Sequence, residues 1–78
     1  MQFDNEAVGR TIRTLRIRHN LSQDALSGLA GIARSHLSMI ETGAKQPNFE
    51  TIWKLALALD LPPHILVQLI EDEISSHK

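Results

Sequence analysis

Arg34, Ser35, Ser38 and Met39 lie in the stretch RSHLSMIET, where Leu37 and Ile40 recur at a helical step of three. If the stretch is a helix that buries Leu37 and Ile40, those four residues fall on the opposite, solvent face. The chemistry on that face is recognition. Arg34 carries a planar guanidinium that donates two parallel hydrogen bonds, matching guanine O6 and N7 in the DNA major groove, and it suits a phosphate equally well. Catalysis has little to draw on. The chain has no cysteine, and its histidines (His19, His36, His64, His77) form no H-E-x-x-H pattern. No glycine-rich phosphate loop is present either, so the reading is not an enzyme. Glu73 and His77 stand four apart and suit at most a weak surface metal contact; no cofactor or structural metal is expected.

A recognition face must be held by something rigid, and the preceding residues supply it. Ser22 is a good N-cap for a second helix that carries Asp24 in its first turn, turns Leu26, Leu29 and Ala30 inward and stops at Gly31. Only GIA separates it from the third helix, about Arg34 to Thr42, which ends at Gly43. Two short helices joined this tightly must cross steeply, which is the helix-turn-helix plan over about residues 22–42. In that plan the third helix enters the major groove, and the start of the second rests on the phosphate backbone.

The rest of the chain reads as helix too. Leucine and isoleucine recur at three- and four-residue steps, and β-branched residues never alternate. A first helix is expected from Asp4 or Asn5 to about His19, with Val8, Ile12 and Leu15 on one face and Asn20 as a left-handed stop. A fourth starts near Phe49 or Glu50, buries Ile52, Leu55, Ala56 and Leu59, and ends at Asp60. A fifth, about residues 63–75, begins with Pro63 at its first position. The expected architecture is all-α, a single five-helix domain over residues 1–78.

Composition sets the partner class. The net charge is −1, yet it is unevenly spread. Between Ala7 and Lys45 six bases face two acids, whereas from Gln46 to Lys78 two bases face five acids. Such polarity suits a chain that offers one face to a polyanion and another to a different partner. No stretch approaches the roughly 20 apolar residues of a membrane span. The opening MQFDNEAVGR lacks the basic start and apolar run of a secretory signal, so a cytoplasmic protein is expected.

The segment IRTLRIRHNLSQDALSGLAGIARSHLSMIETGAKQPNFETIWKLALALDL resembles the lambdoid-repressor-like (Xre/Cro-type) DNA-binding domains across the first four helices. The features LSQDALS, Gly31, LSMIETG, PNFET and LALALDL coincide in one order. The small size and the extension PPHILVQLIEDEI are similar to restriction–modification controller proteins, a dimeric subgroup. Free-standing phage repressors and antitoxins share the same core, so an antitoxin that masks a toxin is the alternative. The resemblance implies that Arg34, Ser35, Ser38 and Met39 read bases in double-stranded DNA: hydroxyls meet either hydrogen-bonding edge and the thioether packs on a thymine methyl. It places Gln23 on phosphate, and Lys45 and Asn48 beside the flanking phosphates. His36 either touches phosphate at the edge of the site or is solvated. It also brings Arg16 of the first helix to Glu41 at the end of the third as a structural ion pair. The remaining bases of the first helix, Arg10, Arg13 and Arg18, are expected to be solvated. One departure stands out. Ala33 occupies the cap position of the third helix, where the family carries serine or threonine.

One reading helix buries too little surface for useful selectivity, so two copies are expected about one helical turn, roughly 34 Å, apart on a near-palindromic site. Ile65, Leu66, Leu69, Ile70 and Ile74 exceed what so short a helix needs for its own core. They are expected to form a homodimer contact rimmed by Glu71, Asp72 and Glu73.

Overall fold

The computed structural model describes residues 1–76 and shows an all-α chain with no strand among the described residues. Five helices follow in order: α1 (Asn5–Arg18), α2 (Gln23–Ala30), α3 (Arg34–Thr42), α4 (Phe49–Ala58) and α5 (Pro63–Ser76). Local chemistry sets their starts. The Asp4 side chain accepts from the Glu6 N–H at 2.9 Å, Ser22 Oγ from Ala25 at 3.0 Å and Asn48 Oδ1 from Thr51 at 2.8 Å. Each satisfies one of the amide donors that a helix start leaves unpaired. The α5 helix starts on proline, whose missing N–H costs nothing there. Four left-handed residues close the helices: Asn20 (φ 56), Gly31 (φ 72), Gly43 (φ 83) and Asp60 (φ 60). The α4 helix ends at Ala58 with Leu59 as its cap, so Asp60 lies just beyond the helix it was expected to end.

The core is one cluster drawn from all five helices. Val8 and Ile12 of α1, Leu26 and Ala30 of α2, and Leu37 and Ile40 of α3 meet Ile52, Leu55 and Ala56 of α4, Leu59, and Leu66 and Ile70 of α5. The α1 helix packs on α3 and α5, α2 on α3 and α4, and α4 on α5.

Several expectations are corrected here. Leu29 is 64% exposed, not inward, because the buried face of α2 is centred between Leu26, Ser27 and Ala30. At about 100° per residue, Leu29 falls roughly a quarter-turn outside that face. Ser27 is buried in its place and donates its hydroxyl to the Asp24 carbonyl at 3.1 Å. Leu66 and Ile70, expected at a dimer contact, are 0% and 7% exposed within the monomer. The reason is that α5 docks on both α1 and α4, which widens the arc it must fill with apolar side chains. Glu73, expected at the rim, accepts from Arg10 Nε at 2.9 Å and ties α5 to α1. Arg10 is therefore paired rather than merely solvated, and its guanidinium is held above its ordinary pKa first by that hydrogen bond. His77, the suggested metal partner of Glu73, lies outside the described residues. Among the described residues no group of three or more metal-ligating side chains converges. No described helix is long and apolar enough to cross a membrane.

Candidate nucleic-acid interface

The corner between α2 and α3 is made by Gly31. Its left-handed backbone lets the Ile32 N–H reach the Ser27 carbonyl at 3.0 Å and closes the end of α2 before the chain turns into α3. Leu37 and Ile40 then fix the inner side of α3 in the core. On its outer side Arg34, Ser35 and Met39 are exposed, and Ser38 and His36 are half-buried at its shoulders. The four residues expected to read bases thus share the solvent-facing side, with Ser38 the least accessible of them.

The tether of α3 is an ion pair with two extra donors. Arg16 presents a fork to Glu41, Nε to Oε2 at 2.7 Å and Nη2 to Oε1 at 3.0 Å, while its Nη1 donates to the Leu21 carbonyl at 2.9 Å. Gln23 Nε2 adds a donor to Glu41 Oε1 at 3.1 Å. The side chains are 13% exposed for Arg16 and 2% for Glu41. Hydrogen bonding to Glu41 raises the Arg16 pKa above its ordinary value, with burial opposing it. A buried pair gives back much of its Coulomb gain as lost hydration. Its value here is geometric: three elements, α1, the start of α2 and the end of α3, converge on one carboxylate.

A second device, absent from the sequence reading, fixes the same joint. Gly9 of α1 is buried where α1 crosses the end of α3. A Cβ there would sit 2.5 Å from the Ile40 carbonyl oxygen and closer still to that of Glu41. The glycine is needed for backbone approach rather than for an unusual φ. A buried glycine between Val8 and Arg10 in a helical pattern was the available signal.

The expected phosphate group divides. Lys45 is exposed in the loop after α3. Gln23 is turned inward to Glu41, and the Asn48 carbonyl oxygen is committed to the α4 cap, which leaves its Nδ2 donors for a phosphate. Ala33 is the residue before α3 and no side chain caps that helix. Arg34 Nε lies 3.3 Å from Asp24 Oδ1 across the α2–α3 corner, with both side chains largely exposed.

This arrangement has known counterparts. The family model described as helix-turn-helix matches residues 12–66, which takes in the second half of α1, all of α2, α3 and α4, and the start of α5. The chain belongs to the helix-turn-helix family. Within it, the chain is 34% identical over 61 residues to an uncharacterised HTH-type transcriptional regulator, y4dL, of Sinorhizobium fredii, a match covering 78% of this chain. The chain spans only 31% of that regulator's length. Among solved structures it is similar to the restriction–modification controller protein C.AhdI of Aeromonas hydrophila, at 37% identity and a TM-score of 0.77, covering 80% of this chain and 94% of that one. The controller protein C.Esp1396I, solved as a tetramer in complex with its natural 35 base-pair operator, shares the fold. Its TM-score is 0.84 at 18% identity, over 95% of this chain and 97% of that one.

Proposed function

We propose that this chain is a sequence-specific transcription regulator that binds double-stranded DNA as a homodimer, in the manner of a controller protein. The observation that carries the reading is the rigid display of α3. Arg34, Ser35 and Met39 face solvent from a helix whose far end is held by the Arg16–Glu41–Gln23 network and by the close approach at Gly9. In this reading α3 lies in the major groove, where Arg34 reads a base edge and Ser35, Ser38 and Met39 add polar and apolar contacts. Lys45, Nδ2 of Asn48 and His36 border the phosphates and set the register. No cofactor is needed for any of these contacts.

We place the dimer contact differently from the apolar face of α5 as a whole. Leu66 and Ile70 close the monomer core, and the remaining apolar residues of α5 diverge. Leu69 lines a groove with Leu15 and Arg18 of α1, and Ile74 lines another with Met1 and Phe3. Another apolar surface lies around the α4–α5 turn. Leu57, 59% exposed, lines one depression with Leu61 and Pro62 and a second with Leu29 and Ala58. Trp53 is exposed one turn earlier on α4. Exposed apolar side chains grouped on a small domain mark an interface, and a two-fold contact about Leu57 would cover them.

The experiment is a selection. The protein is mixed with a randomised duplex library and the bound fraction is sequenced over several rounds. A near-palindromic site with half-sites about one helical turn apart is expected. A library that stays flat while the protein is folded would overturn the function.

A further inference from the structure

We infer that Asp24 is a specificity-determining residue: its charge, paired with Arg34 at the α2–α3 corner, favours presenting the guanidinium to a base over surrendering it to the phosphates. The inference rests on the DNA-reading function proposed above and adds a residue that no contact to DNA would reveal.

Asp24 stands in the first turn of α2 and Arg34 at the first position of α3, so the pair bridges the two helix starts that face the nucleic acid in this plan. The two charges stand at ion-pair distance, with Arg34 Nε 3.3 Å from Asp24 Oδ1. Guanidinium geometry gives that contact its meaning. A carboxylate on the Nε side of the guanidinium leaves the two terminal amino groups to form the fork that pairs with guanine O6 and N7. An arginine without the carboxylate rotates freely about its long stem, and the nearest strong acceptors in a complex are phosphate oxygens.

Two further observations favour this role over a stabilising one. The side chains are 64% and 79% exposed, and an ion pair so exposed adds little to stability. An acid at a surface that meets polyanion also weakens binding to every sequence alike, since it repels phosphate. Beside Arg34, the same charge makes the phosphate-bound state of that arginine less favourable than the base-bound one, a repulsive element that improves selection. Gln23, the neighbouring side chain on α2, is turned inward to Glu41 and does not share the task.

The test compares the wild type, Asp24→Ala, Arg34→Ala and the double variant, each on the randomised duplex library and by salt-dependent titration on one enriched site and one unrelated duplex. Asp24 is exposed, so its removal leaves the fold in place. Asp24→Ala is expected to lose about tenfold of the preference at one base pair of each half-site. It should bind the unrelated duplex at least as tightly as the wild type, with a salt dependence steeper by about one unit as Arg34 turns to phosphate. In the Arg34→Ala background, Asp24→Ala should change nothing at that base pair. An Asp24→Ala protein that keeps the wild-type preference, or that lowers it equally with and without Arg34, would overturn the inference alone. A wild type that enriches no sequence would overturn the DNA-reading function beneath it.

Discussion

Removing one partner of the Arg16–Glu41 pair is the sharpest test of how α3 is held. In Arg16→Met the Glu41 carboxylate, 2% exposed, loses both guanidinium hydrogen bonds and keeps only Gln23 as a donor. An orphaned buried charge of this kind costs about 3–5 kcal/mol. A chain of 78 residues holds about 4–12 kcal/mol in total, so the single change removes about a quarter or more of its stability. At this size the melting temperature should fall by roughly 12–40 °C. Glu41→Leu strands the Arg16 guanidinium, which is less buried and keeps the Leu21 carbonyl, so its loss should be smaller. The double variant Arg16→Met/Glu41→Leu buries no charge and should regain much of the deficit, giving a strongly non-additive cycle. Denaturant unfolding followed by circular dichroism, with the slope checked for constancy, measures all four proteins. The folded double variant should still bind DNA with weakened sequence preference, because α3 has lost its tether. Single losses below about 1 kcal/mol that simply add in the double variant would refute the reasoning.

Gly9→Ala should destabilise by about 1–3 kcal/mol and weaken DNA binding, since the new methyl meets the carbonyls of Ile40 and Glu41; melting curves and binding titrations read both effects. Ala33→Ser should give α3 the cap it lacks and raise stability by about 1 kcal/mol, seen as a higher melting temperature. Leu57→Asp should leave the monomer folded and abolish the dimer in sedimentation, whereas Leu66→Asp should unfold the chain; a Leu57→Asp protein that dimerises like the wild type would remove this interface.

The helices and their ends were legible because each is written locally. Ser22, Gly31, Gly43 and the paired prolines act on the few residues beside them, so a window of sequence contains the whole cause. The display of Arg34, Ser35 and Met39 was legible for the same reason, through the spacing of Leu37 and Ile40. What escaped depends on partners far along the chain. Leu29 is spaced correctly for burial, but the packing of α2 on both α3 and α4 decides, and it buries Ser27 instead. Leu66 and Ile70 exceed the needs of so short a helix by itself, and the docking of α5 on both α1 and α4 accounts for them. Arg10 finds Glu73 across 63 residues, and Gly9 meets the end of α3 across a similar turn of the fold. The inward turn of Gln23 follows from the convergence on Glu41, which no local pattern expresses.

The central claim is that α3 reads bases through Arg34 while the loop after it grips the backbone. Salt-dependent binding of Arg34→Ala and Lys45→Ala to an enriched site and to single-base variants of it tests this most directly. The account predicts that Arg34→Ala loses roughly 1–3 kcal/mol on the enriched site and flattens the preference at one position of each half-site. Lys45→Ala should weaken every duplex alike and lower the salt slope by about one unit. Equal losses on every sequence for Arg34→Ala, with the base preferences intact, would contradict it.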